Sequence, residues 1–234
     1  MDRNTTVFNI AIDGTAASGK STVSKILAQK LQCSYLDTGK LYRAVALDFL
    51  TKFGSSAQEW IEDQNLINYL EELRLEVKGR ESEECRILIR GVDVTAKLSA
   101  LDVEQATPYA ARMPSVRAYL LDVQRDVASE NSVVMAGRDI GSVVLPNATL
   151  KVFIEADVTE RAKRRLSQHK SNFDEKELAG AVDALRSRDE KDANRKCAPM
   201  TCASDALCLD STNLKPEELV EAIAARLHLS LIHI

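Results

Sequence analysis

The chain has 234 residues, 45% of them hydrophobic and 28% charged, with a formal net charge of −4. That is enough chain for one α/β domain, or a core with a sizeable insert, and enough apolar side chain to pack it. The negative balance argues against a nucleic-acid backbone as main partner, and no apolar run nears the ~20 residues that span a bilayer.

The opening MDRNTTVFNIAIDG lacks the charged, apolar and cleavage regions of a signal peptide, so a cytoplasmic location is expected. Five scattered cysteines (33, 85, 197, 202 and 208) form no C-x-x-C pair, and the three histidines complete no zinc spacing. They are expected to be free thiols, buried or half-buried.

In chain order, Val7–Asp13 (VFNIAID) is a short β-branched run ended by Gly14, as a buried parallel strand would be. Ser21–Leu31 carries apolar residues at 23, 26, 27 and 31, the period of an amphipathic helix. Further strands are expected at Ser34–Leu36, Ser132–Ala136, Leu150–Ala156 and Ala206–Asp210. Helices are expected at Leu41–Phe53, Ser115–Ser129, Val158–Gln168 and Lys176–Arg195. Alternating strands and helices predict a five-stranded parallel sheet covered on both faces. Residues 72–98 break the rhythm: LRLEVKG and ECRILIRGVDV alternate apolar and polar around Gly79 and Gly91, which predicts a small antiparallel β insert. The terminal LSLIHI carries no recognisable chemistry.

Gly14-Thr15-Ala16-Ala17-Ser18-Gly19-Lys20-Ser21 fits G-x-x-x-x-G-K-[ST], and it lies after a strand and opens a helix. Loop N–H groups and the helix dipole there converge on an anion. Lys20 is expected to bridge β- and γ-phosphates, and the Ser21 hydroxyl to ligate magnesium. A phosphate-binding loop alone specifies only nucleotide binding.

Three other groups of residues narrow the choice. Asp37-Thr38-Gly39, leading to Arg43, places a hydroxyl and an arginine near a strand's carboxyl end, although the same residues also make an ordinary strand-to-helix turn. Gly137-Arg138-Asp139 offers a phosphate fork and an acceptor, or a local ion pair. In RSRDEKDANR, Arg188, Asp192 and Arg195 share one helical face if the helix continues, and a solvated face would look the same. Arg161, Arg164 and Arg165 also share a helical face.

With those residues in place, the chain closely resembles bacterial-type cytidylate kinases from the first strand to about residue 228. The resemblance is carried by IAIDGTAASGKST, YLDTGKLYRA, MPSVRAYL, GRDIGSVVLPNA, ERAKRRL, RSRDEKDANRKCAPM and DALCLDST. It implies a parallel core over 1–37 and 111–234, an acceptor-binding region over 38–110 and a lid near 166–177. It also implies ATP-dependent phosphorylation of CMP or dCMP with magnesium, by a monomer without nucleic-acid or membrane partners. The ATP site would comprise Gly14 to Ser21 with Thr22, Arg161, Arg164 and Arg165. Thr38, Arg117 and Asp139 would face the base; Arg43, Arg138 and Arg195 would hold the acceptor phosphate. Arg188 and Asp192 would meet the sugar. Lys20, Arg138, Arg188 and Asp192 are the expected catalytic group. Two departures stand out: DTG where the family often has DSG, and Ala136 where some members carry an acid before Gly-Arg-Asp. Another small acceptor (UMP or shikimate) or a nucleotide-binding switch would share the loop; the guanine-reading T/NKxD motif expected of a switch GTPase is absent.

Overall fold

A computed structural model describes residues 7–54, 61–168, 170 and 172–232, with side chains to residue 228. The sheet is built from β1 (Asn9–Gly14), β2 (Ser34–Asp37), β6 (Val133–Ala136), β7 (Leu150–Glu155) and β8 (Leu207–Asp210). Its order is β2-β6-β1-β7-β8 and every pairing is parallel. The five expected strands are therefore all present, with ends shifted by one or two residues.

Strand periodicity divides the core in two. Ile10, Ile12, Val134, Val152 and Ile154 face α1 (Lys20–Lys30) and α8 (Pro216–Ile232), packing on Val23, Leu27, Leu219 and Ile223. Ala11, Leu36, Val133 and Met135 face the other way. They meet α2 (Gly39–Phe53), α4 (Leu101–Arg112) and α5 (Pro114–Glu130) through Leu41, Val45, Val103 and Leu120. Pro114 opens α5, where its missing N–H costs no hydrogen bond.

On that second face lies α3 (Gln64–Leu73), whose Asp63 carboxylate caps the Leu66 N–H at 2.9 Å. The expected insert follows as a three-stranded antiparallel sheet: β3 (Leu75–Lys78), β4 (Arg86–Ile89) and β5 (Val92–Asp93). Its buried Leu75, Ile87 and Ile89 join the same core as α2 and α5.

The remaining helices are α6 (Val158–Ser167) and α7 (Glu175–Ala193), the latter opened by an Asp174–Glu177 capping box. The reading of a helix to Arg195 is corrected here. Asn194 ends α7, Arg195 donates to the Ala198 carbonyl, and Met200 N–H reaches back to Asp192 O at 2.9 Å. The expected lid spans the α6–α7 connection, of which residues 169 and 171 lie outside the described ones, as do the side chains of LSLIHI. Among the described residues, no helix is long and apolar enough to cross a membrane.

Candidate active site

All the site residues gather at the carboxyl ends of the parallel strands, where open α/β sheets bind ligands. β1 delivers the phosphate loop. Its Gly14 has φ 143°, and a Cβ there would stand 1.9 Å from the Ile154 carbonyl oxygen of β7, so this position admits only glycine. Lys20 is buried, with Nζ donating to Thr15 O at 2.6 Å. Burial and the nearby Arg138 guanidinium push its ammonium well below the ordinary 10.5.

The loop is braced from behind. Asp189 Oδ1 accepts the Ala16 N–H at 3.0 Å, and Arg161 donates to Ala16 O at 3.1 Å and to Asp189 Oδ2 at 2.5 Å. Arg161 is 6% exposed, which excludes a solvated helix face for it. It lines neither cavity described below, and its guanidinium is directed at the loop backbone. Ser211, just past β8, donates its hydroxyl to Ser18 O at 2.8 Å, while Arg164 binds the Ser211 and Thr212 carbonyls.

A cavity of about 430 Å³ lies over the loop, lined by residues 16–22 with Arg164, Arg165 and Arg188 among others. A second, of about 230 Å³, is lined by Thr38, Arg43, Arg117, Arg138, Asp139, Asp192 and Arg195, together with Asp37 and Tyr42. Both cavities share Lys20, Ser21, Arg165 and Arg188 as a common wall.

Within the second cavity, Asp139 is buried against two arginines. Arg117 donates to its Oδ2, and Arg195 Nη2 lies 3.1 Å from its Oδ1. Arg117 Nη1 also donates to Ala111 O at 3.1 Å, and its Nε is buried without a hydrogen-bond partner. Thr38 Oγ1 donates to Ala136 O at 3.0 Å. A Cβ on Gly137 would come within 2.7 Å of that hydroxyl. Arg138 Nε donates to Asp192 Oδ2 at 2.9 Å. Arg188 is held below its usual range by burial and by Arg138, with Arg165 and Arg43 adding to the repulsion. So many cations converging on one space leave an anion-shaped deficit.

The structure thus brings together every expected acceptor-site residue, Arg195 included although it lies beyond α7. Sequence reasoning missed the bracing groups. Asp189 and Ser211 lay inside the quoted motifs, but their partners are remote in sequence. Glu104 on α4 went unnoticed: it reaches Arg43 at 3.4 Å and Arg165 at 3.5 Å, linking the acceptor side to α6. Asp13 is buried and accepts N–H bonds from Ile140 at 2.8 Å and Gly141 at 2.7 Å; burial pushes its carboxyl up to about 6.

A model of the cytidylate kinase family matches residues 10–229. The chain belongs to the cytidylate kinase family. Relatives named cytidylate kinase include one from Thermotoga maritima, 40% identical over 92% of this chain and 94% of its own. Another, from Aster yellows witches'-broom phytoplasma, is 38% identical over 92% of this chain and 93% of its own. Among solved structures, an uncharacterized protein from Eubacterium ventriosum superposes with a TM-score of 0.55 at 16% identity. It covers 95% of this chain and 99% of that one, a likeness of fold alone. Family membership makes the chain an enzyme, a phosphotransferase of the P-loop kinase class.

Proposed function

We propose that this enzyme transfers the γ-phosphoryl group of ATP to the phosphate of CMP or dCMP, with ATP in the larger cavity and the acceptor in the smaller one. The observation that carries this reading is the common wall of Lys20, Ser21, Arg165 and Arg188. A γ-phosphoryl group held there faces both nucleotides, and phosphoryl transfer needs alignment and charge neutralisation more than covalent help.

In this reading Thr38, Arg117 and Asp139 face the base, Arg43, Arg138 and Arg195 bind the acceptor phosphate, and Arg188 and Asp192 hold the sugar. Residues 38–110 act as the acceptor region and about 166–177 as the lid. The acceptor is an ionised phosphate, so no strong general base is required. Charge developing on the transferred group is met by Lys20 and the shared arginines.

The donor set fits magnesium. Ser21 and Asp37 supply hard oxygens at the wall of the acceptor cavity, and magnesium commonly takes one or two protein oxygens beside the nucleotide phosphates. Asp37 pairs in register with Ala136, so its carboxylate stands one strand over from that position. The ion would screen the phosphate charges. The enzyme acts in this reading as a cytoplasmic monomer on small molecules only.

A coupled assay over a panel of acceptors tests it. CMP and dCMP should turn over well above UMP and shikimate. Equal use of UMP or shikimate would overturn the cytosine assignment, and nucleotide binding without acceptor-dependent turnover would overturn the kinase reading of this site.

A further inference from the structure

Cys33 and Cys85 are buried, as expected from the sequence, but Cys197, Cys202 and Cys208 are exposed. The Cys202 and Cys208 sulfurs lie 2.8 Å apart. Cys208 sits on β8, the edge strand of the sheet, and Cys202 in the segment leading to it. The chain between them is folded back on itself. Ala206 N–H donates to Ala203 O at 3.0 Å, and Lys151 holds Asp205 at 2.8 Å. The reduced fold therefore presents two accessible thiols already in contact. Neither lines a nucleotide cavity.

We propose that Cys202 and Cys208 form a modification site, a dithiol that a low-molecular-weight disulfide of the glutathione type oxidises to an intramolecular disulfide. One cysteine thiolate attacks the external disulfide, forms a mixed disulfide and expels one thiolate. The second cysteine's thiolate then attacks the first cysteine's own sulfur, forms the internal bond and expels the other external thiolate. The two cysteine protons end on the two released thiols, and two electrons pass from protein to oxidant. Either sulfur can make the first attack, because both thiols are exposed and in contact. The second step is intramolecular between sulfurs the fold already holds together, which favours ring closure over a second adduct.

The test uses the full chain equilibrated in buffers of reduced and oxidised glutathione, quenched with acid, unfolded, alkylated and weighed by mass spectrometry. The oxidised protein should lose two hydrogens and leave neither Cys202 nor Cys208 alkylatable, with the other three of its five cysteines outside the bond. Cys197→Ser should also lose two hydrogens and show two alkylatable thiols, whereas Cys202→Ser and Cys208→Ser should form no internal bond and leave the remaining member of the pair as a thiol or a glutathione adduct. A bond that survives Cys208→Ser, separate adducts on Cys202 and Cys208 in the unaltered protein, covalent dimers through either of them, or no reaction of the pair at any redox ratio would overturn the proposal. A trivalent arsenical that bridges paired thiols gives a second readout without substitution. One arsenic per native chain is expected, and none would also overturn it.

Discussion

Asp189 joins the phosphate loop to the helix layer behind it, accepting the Ala16 N–H at 3.0 Å with one oxygen and the Arg161 guanidinium at 2.5 Å with the other. Both side chains are largely buried, at 14% and 7% exposure. Removing one member of such a pair strands a charge in the interior, at a cost of roughly 3 kcal/mol or more. Asp189→Ala should lower the urea midpoint by that order and raise KM for ATP, while Asp189→Asn recovers part of both. An unchanged midpoint would show that the brace contributes nothing.

Lys20 has the opposite balance. Its buried ammonium is disfavoured in the free enzyme, so Lys20→Ala should leave the fold as stable as before or more so. Turnover should fall by several orders of magnitude, about 3–5 kcal/mol of lost transition-state stabilisation. Thermal unfolding beside a coupled assay separates the two effects. A folded variant with near-normal turnover would remove Lys20 from the catalytic group.

Cytosine offers acceptors at N3 and O2 and a donor at N4, whereas uracil offers N3–H and O4. The Arg117 guanidinium, which lines the acceptor cavity, matches the first pattern, and the Asp139 carboxylate matches an amino group. A buried polar group left without its partner costs about 1–3 kcal/mol, so CMP should exceed UMP by at least ~10-fold in kcat/KM. Asp139→Asn should lose CMP activity more than UMP activity and narrow that ratio. A variant that keeps the native ratio would sink this account of base choice.

The Asp13 carboxyl gives a pH signature. Burial raises it from 3.8 to about 6, so the native state holds a proton that the unfolded chain has lost between those values. Stability contributed at this site is present at acid pH and declines as pH rises from about 4 to 6, by roughly 3 kcal/mol. Asp13→Asn cannot ionise, so its stability relative to the parent should improve over that interval in urea titrations. Parallel pH profiles for the two proteins would refute the assignment.

Much of this was legible in the chain because it rests on local signals. Strand runs ended by glycine, a loop motif in its strand-to-helix setting, and two-residue alternation in the insert each depend on neighbours in sequence. What escaped depends on partners far apart: Asp189 reaches back 173 residues to Ala16, and Glu104 pairs with arginines on two other helices. The end of α7 escaped for a related reason. Asp192 to Arg195 reads as continuous helix until Arg195 turns to the Ala198 carbonyl, a left-handed residue at φ 48°. The Cys202–Cys208 contact was invisible to spacing rules because a turn and the Lys151–Asp205 ion pair, not a motif, bring the sulfurs together.

The Ser211 hydroxyl also carries a consequence for synthesis. The loop at residues 14–21 emerges from the ribosome before β8, and its Ser18 carbonyl finds its hydroxyl partner 193 residues later. The central strand is likewise flanked by strands from distant parts of the chain. A growing chain therefore carries the phosphate-binding residues without the props that hold them in a nucleotide-ready shape until Asp189 and Ser211 have been added. ATP should begin to shield arrested chains from protease only once Ser211 has cleared the exit tunnel, so nucleotide would steady the finished protein rather than guide its assembly.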